Sequence, residues 1–167
     1  MRKLLLGAAA IGLLSVTTIL PAEAAKVATA RSDAYGTYLT NGKGRPVYLF
    51  TADTQATAGN KAKISCDAGC LNFRPLFTAQ GAPPAGSGDV QAGMLGSMTY
   101  DGKTVVTYHG WPLHRFVEDQ GANKPQGQKL KSFGGEWYLV APDGNKAEKQ
   151  KSASSTGSKS GSQGGYY

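Results

Sequence analysis

The stretch Pro46-Val47-Tyr48-Leu49-Phe50-Thr51-Ala52-Asp53 recurs without gaps as Pro112-Leu113-His114-Arg115-Phe116-Val117-Glu118-Asp119, at a constant offset of 66 residues. Three of the eight positions are identical and two more are similar in type. Self-similarity of this kind indicates that one structural unit is used twice. We therefore predict a first repeat over residues 34–79 and a second over residues 97–144, each with a strand that carries the motif.

The sequence around the motifs predicts a mainly β fold. Short apolar or aromatic runs alternate with turn dipeptides, and no run has the helical periodicity of a long amphipathic helix. Turn pairs containing glycine between such runs are strong hairpin signals, because Gly, Asp and His tolerate the positive φ that tight hairpins need. The predicted turns are Asp101-Gly102, His109-Gly110 and Gly134-Gly135. We expect one compact antiparallel β domain, built as a meander around these turns.

The amino terminus is typical of a cleavable signal peptide over residues 1–24. Arg2 and Lys3 precede an apolar run from Leu4 to Leu20, and Ala22-Glu23-Ala24 forms a small-x-small cleavage site. We expect cleavage after Ala24, which places the protein in the periplasm or outside the cell. Neither cysteine of the chain stands at the cleavage point, so we do not expect a lipid anchor, and no second apolar span follows.

Two further segments differ in composition from the predicted core of residues 34–144. Residues 145–167 are rich in Ser, Gly and Lys and poor in apolar side chains, which predicts a disordered basic tail whose removal leaves stability unchanged. Residues 80–96 begin with an Ala/Pro/Gly stretch and are interpreted as a linker or loop between the halves. Cleavage lowers the net charge from +7 to +6, because Arg2, Lys3 and Glu23 are removed.

The motif residues resemble those of a family of bacterial secreted proteins and predicted lipoproteins defined by a repeated Yx(FWY)xxD motif. The first copy carries Tyr48, Phe50 and Asp53, and the second carries Phe116 and Asp119 with a histidine in place of the leading tyrosine. Further family-like features are Cys66-Asp67-Ala68-Gly69-Cys70, Phe73-Arg74-Pro75-Leu76 and Phe133-Gly134-Gly135-Glu136-Trp137-Tyr138-Leu139-Val140. The resemblance spans roughly residues 35–144 and implies export without implying an activity, since the family is described as having unknown function.

Three residues separate Cys66 from Cys70, in a chain predicted to leave the reducing cytoplasm. A disulfide that fixes a local turn is the favoured interpretation. Free or metal-binding thiols are the alternative. A redox pair would be expected to show a C-x-x-C motif beside a βαβ unit, and the sequence has neither.

His109 and His114 are the only histidines and therefore the candidates for a metal site, with Met94 and Met98 as further soft ligands. Residues five apart on a strand point to opposite faces, which argues against joint coordination. The simpler interpretation makes His109 a turn residue and His114 a packed aromatic side chain. We expect no cofactor.

Asp53 and Asp119 permit two interpretations. Two carboxylates brought together by the repeat could act as acid and base. Alternatively, each carboxylate closes its own strand by accepting backbone amides of the following turn, a role worth about 1 kcal/mol. Capping explains both residues without requiring that they meet, and we favour it.

The sequence favours a non-enzymatic binding or structural module of the cell envelope. Aromatic residues at strand positions, among them Trp111, Trp137 and Tyr138, are candidates for an open face that contacts a polymer, peptide or protein of the envelope. A metal-binding or redox accessory protein is the second hypothesis, and an enzyme acting on envelope polymers is the third. Nucleic acid is an unlikely partner for an exported domain of mild charge.

Overall fold

The computed structural model describes residues 24–121 and 124–148. The predicted signal peptide up to residue 23 and most of the predicted tail lie outside the described residues. The mainly β fold is confirmed. Its elements are β1 (Lys26–Ser32), β2 (Gly36–Asn41), β3 (Tyr48–Phe50), α1 (Ala68–Phe73), β4 (Thr78–Ala79), β5 (Ala85–Gly86), a 3-10 turn (Ala92–Met94), β6 (Leu95–Tyr100), β7 (Lys103–Tyr108), β8 (Trp111–Pro112), β9 (Lys131–Ser132) and β10 (Gly135–Leu139).

The strands form three small sheets rather than one meander. The first has the order β2-β1-β5, the second β3-β10-β9, and the third β4-β7-β6 with β8 added to β7. The predicted meander is thus correct for β6, β7 and β8, but β10 leaves it and pairs with β3 near the start of the chain. Within the described residues, no helix is long and apolar enough to cross a membrane.

Tight two-residue turns join the hairpins of the second half. Asp101 and Gly102 link β6 to β7 with φ values of 47° and 68°, and His109 and Gly110 link β7 to β8 with 49° and 79°. Positive φ at both turn residues matches the right-handed twist of the flanking strands. The third turn was predicted one residue too late, because β9 and β10 pair as Ser132 with Gly135 and leave Phe133 and Gly134 in the turn.

The structured chain begins earlier than the predicted core, which started at residue 34. Strand β1 pairs with β2 from Val27 to Ser32 and with β5 in parallel. The segment of β1 has Val27 as its one large apolar residue, so its own hydrophobicity gives little strand signal. Strand β5 lies inside residues 80–96, which therefore contain a paired strand and a 3-10 turn as well as loop.

The interior consists of two apolar clusters. The first surrounds the motif residues and consists of Tyr38, Tyr48, Phe50, Ile64, Cys66, Cys70, Leu76, Val105, Phe116, Trp137, Leu139 and Ala147. The second is closed by strands of all three sheets and consists of Val27, Leu39, Val47, Leu49, Phe77, Ala79, Val106, Tyr108, Leu113 and Val140. Alternate residues of β3 enter different clusters, since Tyr48 and Phe50 belong to the first and Leu49 to the second. Strand β3 therefore separates the two clusters.

The cysteine segment forms the short helix α1, which sequence periodicity did not reveal. The sulfur atoms of Cys66 and Cys70 lie at the distance of a disulfide bond, and their Cα atoms are 5.3 Å apart. Asp67 caps the helix by accepting a hydrogen bond from the amide of Cys70. The helix ends where Arg74 donates its amide to the carbonyl of Cys70 and enters the first cluster.

The packed chain extends beyond the predicted tail boundary at residue 145. Lys146 forms a β-bridge with Val140, and the Ala147 amide donates to the carbonyl of Leu139. Ala147 is only 1% exposed, and its carbonyl accepts a hydrogen bond from the Gln128 side chain. Residues 145–148 therefore belong to the domain, although their polar composition hides this in the sequence.

Two truncations test this boundary. A chain that ends at Glu148 is expected to unfold like the full mature protein, because the packed contacts of Ala147 are kept. A chain that ends at Gly144 loses those contacts and is expected to be less stable by about 2 kcal/mol, from the lost hydrogen bonds and the burial of Ala147. Urea unfolding of the two chains measures the difference. Equal stability would show that residues 145–148 contribute nothing to the fold.

Candidate functional site: the buried motif cluster

The two motif segments lie side by side and antiparallel. The amide of Tyr48 donates to the carbonyl of His114 at 2.8 Å, and the amide of His114 donates to the carbonyl of Tyr48 at 2.9 Å. On its other side, His114 forms a bridge to Leu76, in the segment that follows α1. The aligned positions of the two motif copies are thus direct backbone partners.

Each motif aromatic residue bonds to the carboxylate of the other copy. The Tyr48 hydroxyl donates to Oδ1 of Asp119 at 2.9 Å. The His114 ring, through Nε2, lies 2.7 Å from Oδ2 of Asp53. We call these four residues the motif clamp. Its two bonds join residues 71 and 61 positions apart in the chain and are buried.

The carboxylates of the clamp also accept backbone amides, as the capping interpretation requires. Oδ1 of Asp53 accepts from the amide of Ser65, and Oδ1 of Asp119 accepts from the amide of Gln126. Each aspartate amide also donates to the carbonyl of the phenylalanine three residues before it. The two interpretations of these residues were therefore incomplete, because each carboxylate closes a distant loop and holds the opposite motif copy.

His114 is bonded through both ring nitrogens. Its Nδ1 lies 3.1 Å from the carbonyl oxygen of Arg74, and its Nε2 faces Asp53. The two ring nitrogens thus each have one hydrogen-bond partner, a backbone carbonyl and the Asp53 carboxyl group. The ring is completely buried. No lone pair remains directed at solvent for a metal ion or a substrate.

A column of stacked planar groups lies beside the clamp. Phe50 stacks on Trp137 with a centroid distance of 4.0 Å and an interplanar angle of 7°. The Arg74 guanidinium lies 4.5 Å from the Trp137 centroid and 3.6 Å from that of Phe116. Arg74 is 1% exposed, so this cation is removed from water and held between two rings. The His114 ring packs edge-on against Trp137.

Arg74 is the central residue that sequence reasoning did not single out. Its only signal was its position in Phe73-Arg74-Pro75-Leu76, directly after the cysteine segment. Two polar atoms near it are buried without a hydrogen-bond partner among the described residues, namely Nη1 of Arg74 and Oδ2 of Asp119. The ring of Tyr48 and the backbone of Gly127 enclose this guanidinium, since a Cβ on Gly127 would clash with both side chains.

Burial dominates the electrostatics of the cluster. It raises the pKa of Asp119 above its ordinary value, although hydrogen bonds from Gln126 and Tyr48 and the charge of Arg74 act in the opposite direction. It also lowers the pKa of Arg74 to about 10. The pKa of Tyr48 is raised first by burial and further by the nearby Asp119 charge. All three pKa values thus shift in the direction expected of groups shielded from water. The Asp119 carboxylate receives its hydrogen bonds from Tyr48 and Gln126.

The candidate binding aromatics do not form one open face. Trp137 is completely buried, because alternate residues of β10 point into the first cluster. Tyr138 is partly buried, with its hydroxyl bonded to Glu136 and the Lys146 ammonium 4.1 Å from its ring centroid. Trp111 is partly buried against the second cluster.

Two phenylalanines that were not expected to be open are exposed. Phe73 at the end of α1 is 50% exposed, and Phe133 in the β9–β10 turn is 46% exposed. Their ring centroids are 6.0 Å apart. The open aromatic surface is therefore made by a helix end and a turn, where strand alternation gives no information.

The structure keeps the other metal candidates apart from the clamp. His109 is exposed in its turn with a φ of 49°, as expected of a turn residue. Met94 and Met98 pack against different apolar clusters. Within residues 24–121 and 124–148, no group of three or more His, Cys, Asp or Glu side chains is placed to hold a metal ion.

Comparison with known proteins places one part of the chain. Residues 97–141, which include the second motif copy, match the model of a family described as a secreted repeat of unknown function. The family resemblance is confirmed here. The matched secreted repeat begins in β6 and ends just after β10, so it holds His114, Phe116, Asp119 and Trp137 but not the first copy. The two-repeat organisation accordingly stays a prediction. Searches of curated proteins and of solved structures found no match.

Replacing the clamp carboxylates tests their structural role. Asp53→Ala removes the partner of a buried histidine, and Asp119→Ala removes the acceptor of Tyr48 and Gln126. We expect each variant to lose about 3 kcal/mol, well above the 1 kcal/mol of a simple turn cap. Asp33→Ala is the matched control, because Asp33 is exposed, and should stay within about 0.5 kcal/mol of the wild type. If urea unfolding shows stability losses no larger than that of Asp33→Ala, the clamp does not stabilise the fold.

Proposed function

We propose that this chain is an exported, non-enzymatic module of the cell envelope, in which the motif is a scaffold and the outer surface contacts the partner. The family match supports export, because the family is described as secreted. The observation that carries the rest of the proposal is the burial of the motif. Tyr48, His114, Asp119 and Asp53 are at most 5% exposed, and each aromatic residue bonds to the aspartate of the other copy.

Burial supports a scaffold role over an active site for these residues. A general acid or base must come within hydrogen-bond reach of the atom it protonates or deprotonates. The Asp53 carboxylate and the His114 ring are both completely inside the protein, with each other as partners. A substrate would have to open the first cluster to reach them. These side chains therefore stabilise the pairing of the two motif segments.

The metal-binding and redox hypotheses find less support in this geometry. Both nitrogens of the buried histidine are engaged, and the exposed histidine lies in a separate turn. Cys66 and Cys70 are joined to each other and serve the turn that starts α1. Each residue of these hypotheses thus has a structural role that accounts for it.

A conservative change inside the clamp tests the proposal. Tyr48→Phe keeps the ring and removes only the hydroxyl that Asp119 accepts from. We expect a stability loss of about 1–3 kcal/mol. Binding to isolated envelope material, measured by co-sedimentation below the melting temperature, should equal that of the wild type.

Two outcomes would contradict the proposed function. A Tyr48→Phe or His114→Gln protein that is folded by circular dichroism but has lost envelope binding, or a turnover activity detected in the wild type, would make the motif a site. Co-sedimentation that is absent in the wild type as well would contradict the binding role itself. The exposed variant Asp33→Ala serves as the control for loss of a carboxylate.

A further inference from the structure

We propose that a cluster of basic residues at the open end of the second apolar cluster binds a linear phosphodiester polymer of the envelope. This inference rests on the proposed binding function and names the ligand class. The residues are Lys26, Lys43, Arg45 and Arg115, and we call them the basic mouth.

A cavity lies between the two lysines of the mouth. It has a volume of about 250 Å³ and is lined by Ala24, Lys26, Asn41, Gly42, Lys43 and Phe77. Both lysines are exposed, whereas Phe77 is 8% exposed at the edge of the second cluster. The cavity thus combines an apolar wall with two exposed positive charges.

The turn that presents Lys43 and Arg45 is held by Asn41. Its side-chain oxygen accepts the amides of both Lys43 and Arg45, each at 3.0 Å. Its own amide donates to the carbonyl of Arg45 at 2.8 Å. The backbone positions of these two cations are therefore fixed before a ligand arrives, which reduces the ordering cost of binding.

Arg115 joins the mouth from the neighbouring segment. The amide of Arg115 donates to the carbonyl of Pro75, and the amide of Phe77 donates to the carbonyl of Leu113. Residues 113–115 and 75–77 therefore pair side by side, with Phe77 opposite Leu113. Alternate residues of a strand share a face, which places Arg115 on the side of Leu113 and hence of the second cluster. By the same alternation, Arg45 lies on the side of its segment that carries Val47, a member of the second cluster.

Within the part of the chain that the structure describes, Arg115 has a buried polar atom without a partner, and this is a cost that an anion would relieve. The Nε of Arg115 is buried and has no hydrogen-bond partner among the described residues. Burial lowers the pKa of Arg115, and the positive charge of Arg45 lowers it further, so the two guanidinium groups are close enough to repel each other. Arg45 also acts on Asp119, but that carboxylate is buried and already bonded to Tyr48 and Gln126.

The chemistry of the mouth favours phosphate groups on a chain. Guanidinium groups bind phosphate oxygens through paired N–H donors, and lysines add point charges. A linear phosphodiester chain carries such groups in series, and its apolar linkers can contact Phe77 at the cavity wall. Cleavage after Ala24, as the sequence predicts, would remove Ala24 from the cavity lining and place the α-amino group of Ala25 beside Lys26.

Isothermal titration of the mature chain with purified poly(glycerol phosphate), at about 50 mM salt, tests the inference. We compare Arg45→Gln/Arg115→Gln with Lys26→Gln/Lys43→Gln, which alters only exposed side chains and keeps the test valid if Arg115 is needed for folding. The control is Lys61→Gln/Lys63→Gln, an equal charge loss at exposed residues of another loop. Each mouth pair should weaken binding about tenfold, and the control less than about twofold.

Two results would overturn the inference. The control could weaken binding as much as the mouth pairs, which would reduce the effect to net charge. The wild type could instead prefer phosphatidylglycerol vesicles to the polymer, which would make a membrane the ligand. In both cases a binding module remains, so the proposed function would stand. That proposal fails separately, on the Tyr48→Phe and His114→Gln measurements.

Discussion

The structure depends on an exchange of side chains between the two motif segments. Tyr48 of the first copy bonds to Asp119 of the second, and His114 of the second bonds to Asp53 of the first. Either copy alone would leave its aromatic polar group without the carboxylate that it bonds to in the interior, at a cost of about 1–3 kcal/mol. The two copies can therefore be buried only together, and this requirement fixes how they pair. It also explains why a strand of only three residues, β3, lies at the centre of the domain.

The other features of the core follow from this pairing. Strand β10 pairs with β3 and brings Trp137 onto Phe50, and the segment after α1 brings Arg74 between Trp137 and Phe116. A buried guanidinium is costly unless planar groups and opposite charge surround it. The rings of the column and the Asp119 charge supply both. The disulfide and the Asp67 cap hold the short helix that delivers Arg74 to this place.

The sequence predicted the features that depend on local pattern. Strand alternation and the turn pairs at residues 101–102 and 109–110 act over a few residues, and so the β6–β7–β8 meander could be derived. The exchange between Tyr48 and Asp119 joins positions 71 residues apart, and no local pattern shows which copy a carboxylate will face. The sequence did not point to Arg74, because the residue type alone does not show whether an arginine is buried or exposed. Strand β1 and Ala147 were missed because their order comes from pairing rather than from their own hydrophobicity.

A double-mutant cycle on unfolding free energies tests the exchange most directly. Tyr48→Phe and Asp119→Ala, made singly and together, should couple by about 1–3 kcal/mol, because each change removes the same buried hydrogen bond. Tyr48→Phe and Asp53→Asn, taken from the same motif copy, should be additive within about 0.5 kcal/mol. Strong coupling within a copy, together with additivity between copies, would contradict the account.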